Sequence, residues 1–347
     1  MCYNQIYSCA PGEVCLMQTK NKTAYFEWLR IFAAAAVVVM HTAAHGFNTG
    51  SVESADWRWF ALWDSLVRWP VPIFMMITGA LFLPRKTALR QALTGYIPRM
   101  ALAYLIWSAV YALHSGGDFL TRLASGHYHL WYLTFLCGVY LALPFLQRIA
   151  SEKPLADGLL AISAVIGLLI PWLAELLIFL LPDQSGIVWS VKGHLEFTFF
   201  MDCLALVLLG NFLHQRELTG KQRWGIYILG FLGICVTFFA TLWASRRTGT
   251  ASALFFDFKA PNNLCAAAAV FVFAKYNLKT LPRAVDFLAR CSFGIYLVHP
   301  LVIELLAENG LSLPAPWTPI LATAVFAIAA LIAAVLRKIP LIGKYFV

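Results

Sequence analysis

Apolar positions in this chain run in blocks of near-bilayer length, separated by short polar patches. A helix needs about 20 predominantly apolar residues to cross a hydrocarbon core roughly 30 Å thick. The blocks fall near 25–45, 64–83, 92–113, 130–149, 158–181, 196–213, 224–243, 261–276, 285–306 and 317–336. They predict an all-α fold: a polytopic integral membrane protein of about ten transmembrane helices. Pro and Gly interrupt several blocks, as in Pro70-Val71-Pro72 and Ile77-Thr78-Gly79-Ala80. Membrane helices tolerate such breaks where neighbours take up the freed backbone groups, so kinks beside a site are expected. No connection exceeds about twenty residues, which leaves no room for a soluble catalytic or receptor domain. Any chemistry therefore belongs within the helices. No internal repeat, low-complexity segment, P-loop, HExxH or GxSxG is present.

Composition agrees that water is not the solvent for most of the chain: 61% of residues are hydrophobic, 12% are charged, and the mean hydropathy is +0.72. A net charge of +9 would suit nucleic acid only if the basic residues formed one block, and they are scattered over the connections. Their distribution reports topology instead. Of the 26 Lys and Arg, Arg58, Arg122, Lys192, Arg246, Arg247 and Lys259 lie on the odd-numbered connections, and Arg30, Arg68 and Arg99 lie inside spans. The rest fall on the two ends and the even-numbered connections, or, as Arg148, Lys275 and Arg290 do, near the block ends that border them, and the positive-inside rule assigns that side to the cytoplasm together with both termini.

Eight cysteines include no CxxC; Cys137, Cys203, Cys235, Cys265 and Cys291 sit in or beside apolar runs and read as small packing residues. Cys2, Cys9 and Cys15 belong to a polar leader, residues 1–23, too weakly apolar for a signal peptide. Met17 opens a better start, MQTKNKTAYFEW, so residues 1–16 are expected to be an extension of the reading frame, ahead of a membrane domain over 24–347.

Ionisable residues inside a membrane are candidates for function because a charge near the bilayer centre costs on the order of 3 kcal/mol. In YFEWLRIFAAAAVVVMHTAAH, Arg30 and His41 stand eleven positions apart. At about 100° per residue that spacing returns them to within roughly 20° of one face. The axial separation is about 16 Å, so they cannot touch, but something elongated could span them. Ala33 to Ala36 lie between and let a helix or ligand approach the backbone closely. The plainer readings are snorkelling of Arg30 or its pairing with Glu27, and a hydrogen-bonded core role for His41. His45 follows at i+4 without a carboxylate, a poor metal set, and no metal site is expected.

A second cluster is His129-Leu130-Trp131-Tyr132-Leu133, either an interfacial aromatic belt or a site wall. A third is Ser292-Phe293-Gly294-Ile295-Tyr296-Leu297-Val298-His299-Pro300, with Glu304 beyond it; His299 and Glu304 are expected to be buried, serving a site or a Pro kink. Arg85 and Lys86 follow Leu83-Pro84 in a connection, where they could bind phosphate or simply obey the charge rule.

Taken together these segments resemble the acyltransferase 3 family of membrane acyltransferases. Arg30 and His41 match its Arg-x10-His motif; PVPIFMMITGALFL resembles its second helix, HLWYLTFLCGVYLALPFL its His-Leu-Trp helix, and CSFGIYLVHP its Ser-x-x-Ile-Tyr-Leu-x-His segment. The similarity runs from about residue 24 to the end and looks closest to short O-acetyltransferases such as that of enterobacterial common antigen. It implies transfer of an acetyl group from cytoplasmic acetyl-CoA, bound as a substrate and not as a permanent cofactor, to a hydroxyl of a surface glycan or lipid-linked sugar. It implies a bacterial plasma (inner) membrane. Arg30 and His41 inherit the paired catalytic roles; Arg85 and Lys86 occupy the basic loop, where Lys86 and Thr87 depart from the Arg-x-Arg of related sequences. His129, Trp131, His299 and Glu304 are the accompanying binding candidates.

A neutral imidazole can take the proton of a sugar hydroxyl as the acyl carbonyl is attacked, which makes His41 either a general base or, covalently, an acyl carrier. Arg30 suits a CoA phosphate or the thioester oxygen. The rival from another class is a proton-coupled secondary transporter, since buried His, Arg and Glu in about ten helices would fit one as well. Nothing in the sequence specifies an oligomeric state.

Overall fold

The computed structural model describes residues 13–193, 198–340 and 343. Cys2, Cys9 and both chain ends, on which the terminal expectations rest, lie outside the described residues. Within them the secondary structure is helical without a strand. Hydrocarbon offers no partner for a free N–H or C=O, and each unsatisfied group costs several kcal/mol there, so a helix that bonds its own backbone is the favoured form.

The principal helices are α1 (Glu13–Thr49), α2 (Ala55–Ser65), α3 (Pro70–Phe82), α4 (Leu89–Ser115), α5 (Trp131–Ala150), α6 (Lys153–Leu180), α7 (Thr198–Gln215), α8 (Gly220–Thr248), α9 (Pro261–Asn277), α10 (Arg283–Glu308) and α11 (Ala315–Leu336). Eight segments of the described residues are long and apolar enough to cross a membrane: Thr23–Thr49 of α1, α2 with α3, α4, α5, α6, α8, α10 and α11. The remaining two apolar blocks form the shorter helices α7 and α9, the latter of 17 residues. The block at 64–83 is divided between α2 and α3, because Pro70 and Pro72 carry no N–H and sit where a new helix can begin without losing a bond. Widened π turns at Ala92–Tyr96 and Ala164–Leu169 precede Pro98 and Pro171, the expected consequence of removing one i→i−4 bond.

Helix α1 is central, packing on α2, α3, α9, α10 and α11. Of its most apolar stretch 61% is buried, against 17% for α6 and 22% for α8, which lie at the periphery. One side of α1 sends Leu29 and Ala33 into a cluster with Ile73, Met76 and Phe271; another sends Ala34 and Val38 into a cluster with Met75, Leu133 and Val298. Leu105, Phe145, Trp224, Phe231, Phe239 and Leu331 are exposed, as lipid-facing residues should be.

Helices α3 and α7 meet through Gly79 and Gly210. A Cβ at Gly79 would lie 1.7 Å from the Val207 carbonyl oxygen, and one at Gly210 would lie 2.0 Å from that of Met76, so the backbones touch only because both residues lack side chains. Between α8 and α9, Asn262 donates to Thr237 Oγ1 (2.8 Å) and Thr237 donates to Asn263 Oδ1 (3.1 Å). Both asparagines also donate to the Phe255 carbonyl, at 2.8 and 3.0 Å. These bonds hold the α8–α9 loop, which carries Phe256 and Phe258.

Candidate active site

His41 lies near the C-terminal end of α1, half-buried, with its ring centroid 5.3 Å from that of His299 and 5.1 Å from that of Tyr128. His299 is fully buried on α10, one position before Pro300. Its Nδ1 is 3.0 Å from the Ile295 carbonyl, which can only accept, so Nδ1 carries a proton; Nε2 is buried and has no hydrogen-bond partner. In the neutral ring that Nε2 is a bare lone pair.

His129 stands 5.8 Å from His299, ring to ring, just before α5. It is 4% exposed, and its backbone carbonyl accepts a hydrogen bond from the Tyr296 hydroxyl. Burial, reinforced by His299, His127 and His41, holds the His129 imidazole well below its ordinary value of 6.5, so it is neutral at neutral pH. Its Nδ1 meets His127 Nδ1 at 2.9 Å. His127 Nε2 in turn lies 3.1 Å from Glu304 Oε1, while Glu304 Oε2 lies 3.3 Å from His114 Nε2. Glu304 was expected to be buried, but its side chain is 31% exposed, because α10 ends one turn later at Glu308.

Tyr111 on α4 ties this end together. Its ring stacks on His127 at 4.0 Å, 5° from parallel. Its hydroxyl donates to the Leu297 carbonyl (2.8 Å) and accepts from the Leu301 amide (3.2 Å). Those two groups are the i and i+4 partners of a helical bond, so Tyr111 is spliced into α10 at the turn that contains Pro300.

Toward the other end of the bundle, Arg30 Nη1 contacts both carboxylate oxygens of Glu27, at 2.7 and 2.8 Å. The pairing proposed as the plainer reading of Arg30 is therefore present, and it fixes the guanidinium on α1. Arg30 and Arg99 both lie within Coulombic reach of Tyr140. Arg85 and Lys86 are exposed in the α3–α4 loop, with the Arg85 guanidinium 5.3 Å from the Phe82 ring. Gln147 of α5 clamps that loop: its Oε1 accepts from the Thr87 amide (2.8 Å), and its Nε2 donates to the Phe82 carbonyl (2.8 Å) and Thr87 Oγ1 (3.0 Å).

The fold thus gathers His41, His129, His299 and Glu304 at one end, with Arg30 about 16 Å along α1 from His41 and the Arg85–Lys86 loop at the far end. Trp131 is partly exposed and stacks on Phe258 at 5.5 Å, joining the α8–α9 loop to α5. The sequence reading did not single out Tyr111, His114, His127, Tyr128 or Gln147. The repeat His127-Tyr128-His129 was a signal that could have found two of them; Tyr111 and Gln147 carry none. Among the described residues no group of three or more His, Cys, Asp or Glu is arranged to hold a metal ion.

No curated protein and no solved structure matches the chain. A family model described as "Acyltransferase domain" matches residues 23–336, which runs from within α1 to the end of α11 and takes in every site residue named above. The chain belongs to the acyltransferase 3 family of membrane acyltransferases.

Proposed function

We propose that this membrane acyltransferase moves an acetyl group from cytoplasmic acetyl-CoA to a hydroxyl of a surface glycan or lipid-linked sugar, in a bacterial plasma membrane, with about ten spans and both termini cytoplasmic. The observation that carries the reading is the polarity of α1: paired Arg30 toward one end, and His41 facing His299 and Tyr128 toward the other. The positive-inside pattern makes the Arg85–Lys86 end cytoplasmic, where CoA is available. Arg85 and Lys86 engage CoA phosphates there, and Arg30 meets a further phosphate or the thioester oxygen. His41, as general base or acyl carrier, acts on the acceptor hydroxyl, with His129, Trp131 and His299 walling the acceptor's side. A proton-coupled transporter is not favoured, since the family match covers the whole bundle.

The test is acetyl-CoA consumption and acetyl transfer to a membrane glycan extract by purified wild type and by His41→Ala and Arg30→Ala proteins that insert normally. Free CoA is followed with a thiol reagent and acetylated product by mass spectrometry. Loss of both signals in His41→Ala is expected. Wild type that neither consumes acetyl-CoA nor binds it sinks the reading.

A further inference from the structure

General-base transfer leaves a proton on an imidazole in the interior of the bundle, and the next turnover cannot begin until that proton has gone. The bond changes are a new C–O bond to the acceptor and a broken C–S bond to CoA, whose thiolate is reprotonated from the cytoplasmic side. The proton taken from the hydroxyl therefore needs its own way out. A charged imidazolium held among apolar helices is costly, so a route of hydrogen-bonded groups is more effective than diffusion of the side chain.

We propose that His129, His127 and Glu304 form that route, a proton outlet from the candidate active site to the end of the bundle where α10 finishes. The inference rests on the acyltransferase reading with His41 as base. Three observations carry it. The contacts are continuous: His129 Nδ1 to His127 Nδ1 at 2.9 Å, His127 Nε2 to Glu304 Oε1 at 3.1 Å, Glu304 Oε2 to His114 Nε2 at 3.3 Å and His114 Nε2 to Glu308 Oε1 at 3.5 Å. Exposure rises from 4% at His129 through 14% for the His127 side chain to 31% for that of Glu304; beyond it the His114 side chain is 16% exposed and that of Glu308 60%. At the inner end, Nε2 of His129 and Nε2 of His299 are both buried without a hydrogen-bond partner, on rings 5.8 Å apart, beside His41.

The proton bookkeeping closes. A carboxylate can only accept, so in this route the imidazole of His127 holds its proton on the Nε2 that faces Glu304 and offers a lone pair at Nδ1. His129 then donates from Nδ1, which leaves its Nε2 as the lone pair that receives a proton from the His41–His299 side. When a proton arrives at His129 Nε2, the Nδ1 proton passes to His127, which becomes an imidazolium beside the Glu304 carboxylate. Release of the Nε2 proton of His127 to Glu304, and from there to His114 or water, regenerates a neutral chain. The groups that face this route are Tyr111 and His114 of α4, Tyr128 of the same loop, Tyr296, His299 and Glu308 of α10, and His41 of α1.

The experiment compares steady-state acetyl transfer by wild type, Glu304→Gln and His127→Phe in detergent, with and without added imidazole. Glutamine keeps the shape of Glu304 without accepting a proton, and phenylalanine keeps the stacked ring on Tyr111. The expected result is a fall in kcat of about tenfold or more in both variants with the KM for acetyl-CoA unchanged. Their kcat should then rise with imidazole concentration, while that of wild type does not. Wild-type kcat in either variant overturns the proposal, and so does a loss that imidazole fails to rescue, which would mark the residues as structural supports. A wild type without transferase activity fails the functional reading instead, and is recognisable because no variant comparison then exists.

Discussion

Tyr111 lies flat against His127, their ring centroids 4.0 Å apart, while its hydroxyl bridges the Leu297 carbonyl and the Leu301 amide of α10. One side chain thus sets both the histidine that contacts Glu304 and the turn of α10 that carries His299. Tyr111→Phe keeps the stack and leaves two backbone groups unpaired in a low-dielectric interior, a loss of about 1–3 kcal/mol. A lower thermal midpoint in detergent, with reduced kcat, is expected; an unchanged midpoint would mean that α10 pairs the Leu297 carbonyl and Leu301 amide by itself.

Arg30 grips Glu27 with one nitrogen against two oxygens, and its planar guanidinium is a fork of donors that an ammonium cannot reproduce. Lysine keeps the charge but not the fork. Arg30→Lys should raise the KM for acetyl-CoA about tenfold, equivalent to about 1.4 kcal/mol, with the protein still inserted and folded. Equal kinetics for Lys and Arg would show that only charge matters there.

Gln147 makes three hydrogen bonds to the loop segment that contains Arg85 and Lys86. Gln147→Leu fills a similar volume and releases the loop. If that loop grips CoA, the KM for acetyl-CoA rises and kcat at saturation stays close to wild type; desulfo-CoA binding by calorimetry provides the same comparison without turnover. Unaltered affinity would remove the loop from the donor site.

His129 is neutral in the folded protein because burial opposes its charge, so the unfolded chain binds a proton that the folded chain refuses. Its contribution is lost as pH falls below the ordinary value of 6.5 and is constant above it. The thermal midpoint should therefore drop on acidification below that value, and the drop should be shallower in His129→Gln. For one proton the difference is at most about 1.4 kcal/mol per pH unit. Parallel curves for the two proteins would contradict the assignment.

Gly210→Ala places a methyl 2.0 Å from the Met76 carbonyl oxygen, which belongs to backbone and cannot swing away. Helices α3 and α7 must separate, and a clear loss of thermal stability is expected. Gly138→Ala, where a Cβ meets nothing within 4 Å, is the control and should be neutral.

The sequence by itself determined the membrane class, the helix positions and the Arg30–His41 stripe, because each follows from local physics: run length against bilayer thickness, and a spacing that returns to one helical face. It also exposed His299 and His129 as polar residues in costly places. What only the tertiary structure decided is which of these residues meet. His41, His129 and His299 come from α1, the segment before α5, and α10, and no periodicity within one helix reports the packing of three. Tyr111 and Gln147 were illegible for a related reason: a tyrosine near a helix end and a glutamine in an apolar run look ordinary until the carbonyls and amides that they satisfy, 186 residues away for Leu297 and 60 for Thr87, are brought against them. The division of the 64–83 block had a local cause in Pro70 and Pro72, but what each half packs on, α2 on α1 and α3 on α7, was settled by the tertiary structure.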